Sequence, residues 1–476
     1  MKKTPIVCVL AAILLILPLA AVTVTAFTAP CQYDETFLAE LKDKHARLGS
    51  VDTEKIVLIG GSNLAFGVDS AQLEEYVGMP VVNYGLYATI GTKAMLDMSR
   101  SYINKGDIVV ICPETNEQTY SLYYNARSMW QALDCDLSML KDVGFSNLGK
   151  LIAVLPEFAA EKRGFIRTNT KPSPSGIYAK ASFNEYGDIA VDRPYNEMPT
   201  NYDPSMPVSL TTDLLDEEFV EYLNAYAAAC KRRGAEVYFG FSPINADAIV
   251  STDEEKEAFY QALGEQLSFP LLSDIDDYIL DSGYFYDTNF HLNSCGALQR
   301  TSLLADDLLR VLGKTGRVET EKYTPPERPD GYFAPTDGTD ENAQYFVYEE
   351  FEGGLAIVGL SDAGKREKTL TLPRSAEGKA VLLIGDYAFA GSDVLERVII
   401  GEQALVKAFT SESLSNCPTL RAIEIRLAPS ALPIDAEAVK KMPKDCMVYV
   451  PAEAYSEFAT DYFWNGMMHY VDILEE

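Results

Sequence analysis

Ser62 and His291 are the residues best placed in this 476-residue chain to carry out nucleophilic chemistry. Ser62 follows the apolar run Ile56–Ile59 and two glycines. Such a run predicts a buried parallel strand, which would deliver the serine to the carboxyl edge of a sheet, where ligands bind in α/β proteins. A serine hydroxyl needs a base within hydrogen-bond reach. Of the three histidines, His45 lies in a charged segment before the strand and His469 near the C-terminus, which leaves His291.

Four short blocks around these residues occur in a defined order along the chain. They are Gly60-Gly61-Ser62-Asn63, Gly85 after the predicted strand Val81–Tyr84, Pro113-Glu114-Thr115-Asn116 after the predicted strand Ile108–Cys112, and Asp287-Thr288-Asn289-Phe290-His291. In these blocks the chain resembles the SGNH (GDSL-like) hydrolase and acyltransferase superfamily. Two positions depart from the pattern of that family. Glu114 stands where the family has glycine, and Asp287 precedes His291 by four residues instead of three.

The resemblance implies a set of catalytic roles for residues in these blocks. Ser62 would be the nucleophile, His291 the base, and Asp287 the residue that orients the imidazole. Three oxyanion donors are implied as well: the backbone N–H of Ser62, Gly85 and the side chain of Asn116. The resemblance therefore predicts a serine hydrolase or acyltransferase site.

Two alternatives to this triad stay open. His291 could act with Ser62 as a dyad, oriented by Asn289 or by a backbone carbonyl. In addition, a Gly-Gly-Ser turn is common in nucleotide-binding folds, and a lone histidine among aromatic residues is often only a packed core residue. Asn63, which follows the nucleophile, is a candidate for substrate binding.

Residues 31–313 alternate between strand and helix patterns, which predicts an α/β fold. The resemblance specifies an SGNH-type doubly wound parallel sheet, covered by helices on both faces. Val237–Phe241 and Phe269–Leu272 are predicted as further strands, and a last helix is predicted between the capping residue Asn293 and the terminating residue Gly313.

An insert at about residues 117–207 interrupts this alternation and is rich in Tyr, Asn, Ser and Pro. A stretch of this length inside a compact domain is usually functional, so it is interpreted as a lid or an acceptor-binding segment over Ser62. Its candidates for stacking on sugar rings are Tyr123, Tyr124, Trp130, Tyr186 and Tyr195. The alternative is that these aromatic side chains form the insert's own small core.

The N-terminal segment, residues 1–30, is predicted to be a membrane anchor. Lys2 and Lys3 precede a stretch that is almost wholly apolar from Pro5 to Ala29, which is long enough to span a bilayer. With the lysines on one side and Asp34 and Glu35 on the other, the positive-inside rule places the bulk of the chain outside the cytoplasm. Cleavage of this segment as a secretory signal stays open.

Composition excludes several classes of function. The formal net charge is −30, which argues against a nucleic-acid partner. Outside the apolar segment seven cysteines remain, an odd number without regular spacing, so no disulfide framework is predicted. No sequence pattern typical of a metal site is present, and neither a metal nor a cofactor is expected.

Residues 314–343 are predicted to be a linker because they combine prolines and glycines with charges. Beyond them, in residues 344–476, apolar residues recur with a 25-residue period: Leu395, Val398 and Ile400 are matched by Leu420, Ile423 and Ile425. This period predicts a small solenoid. Together with Ile384–Phe389 and Val448–Ala452, it resembles cell-surface leucine-rich repeats of the BspA type, in which Cys417 would be a packed core residue.

Two classes of function are consistent with the sequence. In the first, the protein is a membrane-anchored extracytoplasmic serine esterase or O-acyltransferase whose substrate is an acylated cell-surface glycan or glycopolymer. The anchor and the Asp-x-x-x-His spacing look similar to acyl-transfer proteins of lipoteichoic acid and alginate, which implies a membrane acyl-donor protein as a partner. In the second, the hydrolase-like domain is inactive and the protein is a surface adhesin or scaffold that binds through its repeats.

Overall fold

The structure, a computed structural model, describes residues 20–174, 176–198, 201–203, 206–314, 322–329, 340–351, 354–427, 436–452, 454–460 and 464–474. Most of the predicted membrane anchor, residues 1–30, therefore lies outside the described residues. Residues 20–28 are helical. Within the ranges given above, no helix has the length and apolar character needed to cross a bilayer.

A four-stranded parallel sheet forms the centre of the N-terminal half. Its strands, in the order β2-β1-β3-β4, are β1 (Ile56–Gly60), β2 (Val81–Gly85), β3 (Ile108–Cys112) and β4 (Glu236–Phe239). Every residue of β1, β2 and β3 is buried, as the continuous apolar runs predict. The chain adds β2 on one side of β1 and β3 on the other, so the strand order reverses at the carboxyl end of β1. Such reversal points are where open α/β sheets bind ligands.

Alternate residues of these strands point into two apolar cores, one on each face of the sheet. Val57 and Ile59 belong to one core, and Ile56 and Leu58 belong to the other. Beyond residues 20–28, the helices of this half are α1 (Leu41–Ser50), α2 (Ser62–Gly67), α3 (Ser70–Val77), α4 (Thr92–Ser99), α5 (Ala126–Leu133), α6 (Phe145–Thr168), α7 (Glu217–Arg233), α8 (Asp253–Gln266) and α9 (Ser294–Val311). Helices α4 and α7 contribute to the first core, while α3 and α9 contribute to the second. The N-terminal half is thus an α/β structure built on a parallel sheet.

The predicted last helix is present, but one predicted strand is not. Asn293 caps α9 by accepting the Gly296 N–H at 2.8 Å. The segment Phe269–Leu272, in contrast, forms only an isolated bridge to β4. Pro270 has no N–H to donate, which shortens the ladder at this edge. The remaining strand pair here is β5 (Ile244–Asn245) with β6 (Ile279–Leu280).

A disulfide between Cys31 and Cys135 ties the segment before α1 to the end of α5. Beside it, Lys162 of α6 forms a buried ion pair with Asp134, and the same carboxylate accepts the Gln32 N–H at 2.7 Å. The sequence predicts no disulfide framework, and this single link was not anticipated. It fixes the insert to the chain that leaves the N-terminal segment.

Part of the predicted linker packs against the N-terminal half. In residues 322–329, the Tyr323 N–H donates to Gln299 at 3.0 Å, and its hydroxyl accepts from Gln72 at 3.0 Å. Arg328 donates to the Met198 carbonyl at 2.9 Å. These eight residues are therefore fixed to the α/β half, which their Pro-rich composition did not predict.

The C-terminal part contains two further sheets. Its elements are β7 (Phe346–Phe351), β8 (Gly354–Leu360), β9 (Thr369–Thr371), β10 (Ser375–Ala376), β11 (Lys379–Ile384), β12 (Arg397–Ile400), β13 (Ala408–Phe409), β14 (Ala422–Ile425), α10 (Ala436–Lys440), β15 (Met447–Val450), α11 (Tyr455–Thr460) and β16 (Val471–Ile473). One sheet has the order β10-β11-β8-β7, with β13 also paired to β11, and the other has the order β16-β15-β14-β12-β9.

The second of these sheets is parallel throughout and repeats regularly. Arg397, Ala422 and Met447 are register partners on three neighbouring strands, so the predicted 25-residue period is present in the backbone pairing. Val398 and Ile423 are buried on the inner face. Cys417 is also buried, as expected for a packed position.

Candidate active site

Ser62 begins α2 at the carboxyl end of β1, where it is almost completely buried. The turn that presents it is tight: a side chain on Gly85 would stand 2.8 Å from the Gly61 carbonyl oxygen. Only glycine fits, so the end of β2 approaches the nucleophile turn closely. On the other side, Asn63 Nδ2 donates to the Cys112 carbonyl of β3 at 3.1 Å. Ser62 is therefore held between two neighbouring strand ends.

His291 meets Ser62 as the sequence predicts. His291 Nε2 lies 2.8 Å from Ser62 Oγ, within reach for proton transfer, although 229 residues separate them in the chain. The imidazole stacks face to face on Phe66, with ring centroids 4.0 Å apart and planes 3° apart. Phe66 lies one helical turn after Ser62, so α2 carries both the nucleophile and the ring that packs against the base.

Asp287 reaches the other nitrogen of the imidazole despite its unusual spacing. Asp287 Oδ1 lies 2.9 Å from His291 Nδ1. The loop between them is folded tightly: Thr288 Oγ1 accepts the His291 N–H at 3.0 Å, and the Tyr286 N–H donates to the His291 carbonyl at 2.9 Å. Thr288 thus stabilises the turn that brings Asp287 under the ring.

Tyr178, which lies within the insert, holds the second oxygen of Asp287. Its hydroxyl donates to Asp287 Oδ2 at 2.5 Å and lies 3.3 Å from His291 Nδ1. Burial and the adjacent Asp287 carboxylate raise the pKa of Tyr178 well above its ordinary value, so the phenol stays protonated. The sequence analysis missed this residue. No pattern in the insert pointed to it, and it lies 109 residues before its partner.

The Asp287 carboxyl is held in its ionised form. Burial alone would raise the pKa of Asp287, but the charge and hydrogen bond of His291 and the hydrogen bond of Tyr178 lower it below the ordinary value. An ionised carboxylate on Nδ1 fixes the imidazole tautomer with its proton on Nδ1. That tautomer leaves Nε2 free to accept the Ser62 proton.

Glu114 contacts the nucleophile from the opposite side. Its Oε1 lies 3.0 Å from Ser62 Oγ and accepts the Asn63 N–H, also at 3.0 Å. The side chain is buried. From the sequence, Glu114 was visible only as a departure from the family's glycine. The structure shows that its carboxylate shares Ser62 with His291, so one hydroxyl proton faces two acceptors.

Of the other predicted oxyanion donors, Gly85 has its N–H engaged elsewhere. The Gly85 N–H donates to Asn83 Oδ1 at 3.1 Å. Asn116 lies in the loop after β3, where its Oδ1 accepts the Thr119 N–H at 3.0 Å. The structure therefore brings the predicted triad together, whereas the Gly85 N–H is already bonded to Asn83.

The predicted substrate-binding side chains lie in the interior. Asn63 is fully buried. Trp130 is 3% exposed, stacks on Phe158 with centroids 5.0 Å apart, and donates its indole N–H to the Leu151 carbonyl at 2.9 Å. The stacking role predicted for Trp130 is thereby corrected, because the indole is buried in the core, stacked on Phe158 and already bonded through its N–H. Tyr186, another predicted stacking residue, lies against the guanidinium of Arg47.

A cleft of about 260 Å³ is lined in part by residues that adjoin two site residues in the chain. It begins at Thr115 and Asn116, directly after Glu114 in the chain, and at Phe290, directly before His291. The other lining residues are mostly polar or acidic and come from the insert and the region after it: Glu117, Gln118, Met206, Pro207, Ser209, Thr211, Asp213 and Leu214. Hydroxyl, amide and carboxylate groups of this kind suit a ligand rich in hydroxyl groups.

In the part of the chain covered by the structure, no three His, Cys, Asp or Glu side chains are grouped so as to hold a metal ion.

Neither a scan against models of protein families nor a search of curated proteins finds a match to this chain. The geometry of Ser62, His291, Asp287 and Glu114 is therefore the basis for assigning a function.

Proposed function

We propose that this protein is a serine acyl-transfer enzyme, namely a membrane-anchored extracytoplasmic esterase or O-acyltransferase that acts on acyl esters of cell-surface glycans or glycopolymers. The observation that carries the proposal is the hydrogen-bonded line from Ser62 Oγ to His291 Nε2 at 2.8 Å and from His291 Nδ1 to Asp287 Oδ1 at 2.9 Å. A nucleophile, a base and a group that orients the base are the parts that covalent acyl transfer requires.

Each proton in the proposed reaction has a defined path. Ser62 Oγ attacks the ester carbonyl carbon while its proton moves to His291 Nε2, and the carbonyl electron pair moves onto oxygen. When this intermediate collapses, the leaving alcohol takes the proton from His291 and the acyl group stays on Ser62. Water or a sugar hydroxyl then gives a proton to His291 and attacks the acyl carbon, and the proton returns to Ser62. Asp287 stabilises the imidazolium throughout. These steps use no cofactor.

The arrangement of elements supports an SGNH-type domain and a repeat domain. Ser62 follows β1, Glu114 follows β3, and the Asp287–His291 loop directly precedes the last helix α9, which is the order implied by the resemblance. In the C-terminal part, the parallel strands spaced by 25 residues support a leucine-rich-repeat solenoid of the BspA type.

Several features support an extracytoplasmic site and a carbohydrate substrate. Disulfides such as Cys31–Cys135 persist mainly in oxidising compartments. The apolar segment from Pro5 to Ala29 follows Lys2 and Lys3, as in a signal anchor. The cleft that begins at Thr115 and Asn116 carries hydroxyl, amide and carboxylate groups, which suit the hydroxyl groups of a glycan. For the transferase, a membrane acyl-donor protein would supply the acyl group.

A second candidate is an inactive scaffold that binds through its repeats. The observation that favours it is that groups around Ser62 already have hydrogen-bond partners within the protein. The Glu114 carboxylate stands beside the nucleophile, and the Gly85 N–H is bonded to Asn83. In a site that no longer catalyses, such contacts would be permanent.

An acyl-transfer assay separates these functions. The full-length protein in detergent, its Ser62→Ala variant and the Glu114→Gln variant are tested for turnover of 4-nitrophenyl acetate with and without a glycan acceptor. The enzyme is expected to lose at least about 10³-fold in kcat on Ser62→Ala. Acetyl groups that appear on the acceptor identify a transferase, and acetate released from an acetylated glycan identifies an esterase. If neither the wild type nor Glu114→Gln turns over the ester, the result supports the inactive scaffold.

A further inference from the structure

Glu114 occupies the space that an acyl substrate needs beside Ser62. A tetrahedral intermediate formed on Ser62 carries its oxyanion two bonds from Oγ, and donors must stand about 2.7–3.1 Å from that oxygen. Glu114 Oε1 lies 3.0 Å from Ser62 Oγ and 3.0 Å from the Asn63 nitrogen. A carboxylate oxygen is therefore already bound between the nucleophile and the N–H of the next residue, close to where an oxyanion on Ser62 would form.

The surroundings of Glu114 are shaped for this carboxylate. A side chain on Gly61 would stand 2.7 Å from Glu114 Oε1, so the glycine before the nucleophile makes room for it. Arg300 is buried nearby and donates to the Asn63 carbonyl at 2.6 Å. Burial lowers the pKa of Arg300, and Glu114 is among the negative groups that oppose this shift. The Asn63 N–H donates to the Glu114 carboxylate, and the Asn63 carbonyl accepts from the Arg300 guanidinium. Asn63 thus connects these two buried side chains.

We propose that Glu114 is an autoinhibitory side chain that fills the oxyanion position of the resting site, and that acyl transfer begins only when its carboxylate moves away from the Asn63 N–H. This inference rests on the proposed acyl-transfer function. Its physical basis is steric and electrostatic: two oxygens cannot share one position, and a fixed negative charge beside a developing one raises the barrier.

Displacement of Glu114 changes two interactions at once. The Ser62 hydroxyl then has His291 Nε2 as its remaining acceptor, so its proton is directed toward the base. The Asn63 N–H is released and becomes a donor to the substrate oxyanion. The same movement therefore activates the nucleophile and supplies an oxyanion donor in place of Gly85, whose N–H is bonded to Asn83 in the resting structure.

The test measures how fast Ser62 is phosphonylated by a neutral alkyl fluorophosphonate. The probe's phosphorus is attacked by Ser62 Oγ, fluoride leaves, and the serine proton passes to His291. The full-length wild type is compared with Glu114→Gln, which keeps the side-chain volume, and with Glu114→Ala, which empties the position. The control is Glu75→Gln, at an exposed position on α3. Thermal unfolding of each protein shows that it is folded.

Autoinhibition predicts faster labelling when the carboxylate is removed. Glu114→Gln and Glu114→Ala are expected to react at least about tenfold faster than the wild type. The increase in rate should not exceed about 10²–10³, the factor in rate that one oxyanion-hole donor contributes. Glu75→Gln is expected to match the wild type. If the wild type reacts as fast as or faster than both Glu114 variants, Glu114 is not inhibitory, although the acyl-transfer function stands. If no folded variant is labelled, the proposed function fails and the inference fails with it.

A second measurement uses the unaltered residue and does not depend on any variant folding. In a crystal structure of the wild-type phosphonyl adduct, obtained after prolonged incubation, a phosphonyl oxygen is expected within about 3 Å of the Asn63 nitrogen, with Glu114 Oε1 displaced from it. An adduct in which Glu114 keeps its hydrogen bond to Asn63 would overturn the inference.

Discussion

The Tyr178 hydroxyl lies 2.5 Å from Asp287 Oδ2, while the other oxygen of the same carboxylate faces His291 Nδ1 at 2.9 Å. The two contacts fix the carboxylate plane beneath the imidazole. Because Tyr178 lies 109 residues before Asp287, the loop of Asp287 does not determine that orientation alone. The insert, through Tyr178, therefore takes part in building the site.

Removal of the Tyr178 hydroxyl should weaken catalysis without abolishing it. A hydrogen bond to a charged group contributes about 1.5–3 kcal/mol, so Tyr178→Phe is expected to lower kcat by at least about tenfold and to leave KM nearly unchanged. The matched control is Tyr226→Phe, which removes another buried phenol hydroxyl, bonded to Ser99 at 2.8 Å. Equal losses in the two variants would show that Tyr178 acts only through general stability.

Asp287 is expected to be the residue that orients His291, in preference to Asn289. In serine triads, replacement of the aspartate by asparagine lowers kcat by about 10⁴ because the imidazole adopts the wrong tautomer. We expect a loss of about 10³–10⁴ for Asp287→Asn. Asn289 is fully buried and donates to the Asp203 and Met206 carbonyls at 2.9 and 2.8 Å, so it already has a structural role. A kcat within a few-fold of the wild type in Asp287→Asn would support the Ser62–His291 dyad.

The lowered pKa of Asp287 predicts a specific pH dependence of stability. A carboxyl whose pKa is lower in the folded than in the unfolded state stabilises the fold above its unfolded pKa, and this contribution is lost as the pH falls through the folded value. The wild type should therefore melt at a higher temperature than Asp287→Asn at pH 6, and the gap should narrow below about pH 4, near the ordinary aspartate pKa. A gap that widens on acidification would contradict the ionised state of Asp287.

The Cys31–Cys135 disulfide should stabilise the α/β half. It links residues 104 positions apart, and disulfides contribute about 2–4 kcal/mol. A Cys31→Ser/Cys135→Ser variant is expected to unfold at a lower urea concentration than the wild type, and a reducing agent should produce the same shift. The control is Cys230→Ser, which removes a free cysteine and leaves the Cys31–Cys135 disulfide intact. The urea midpoint of this variant should still fall when a reducing agent is added. An unchanged midpoint in the reduced wild type would contradict the link.

The parts of the fold that could be predicted are those written in local patterns. The apolar runs of β1, β2 and β3 each form a buried strand, and their order places Ser62 at the carboxyl edge of the sheet. Asn293 marked the start of the last helix because capping depends on neighbouring residues. The 25-residue period of the C-terminal part was visible because its apolar positions recur at fixed places.

The parts that could not be predicted depend on contacts between distant residues. Tyr178 meets Asp287 across 109 residues, and its segment has no periodic pattern to place it. Cys31 and Cys135 belonged to an odd set of cysteines whose pairing depends on the fold. The substitution of glutamate for glycine at position 114 was visible, but its contact with Ser62 depends on the space left by Gly61.

The central claim is that Ser62 is a nucleophile activated by His291. The most direct measurement is peptide mass spectrometry of the full-length protein after overnight incubation with an alkyl fluorophosphonate, performed on the wild type, Glu114→Gln, Ser62→Ala and His291→Ala. The account predicts an adduct on the peptide that contains Ser62 in the first two proteins, with none in Ser62→Ala and a rate reduced at least about 10³-fold in His291→Ala. Folded wild type and Glu114→Gln that both remain unmodified at Ser62 would contradict it.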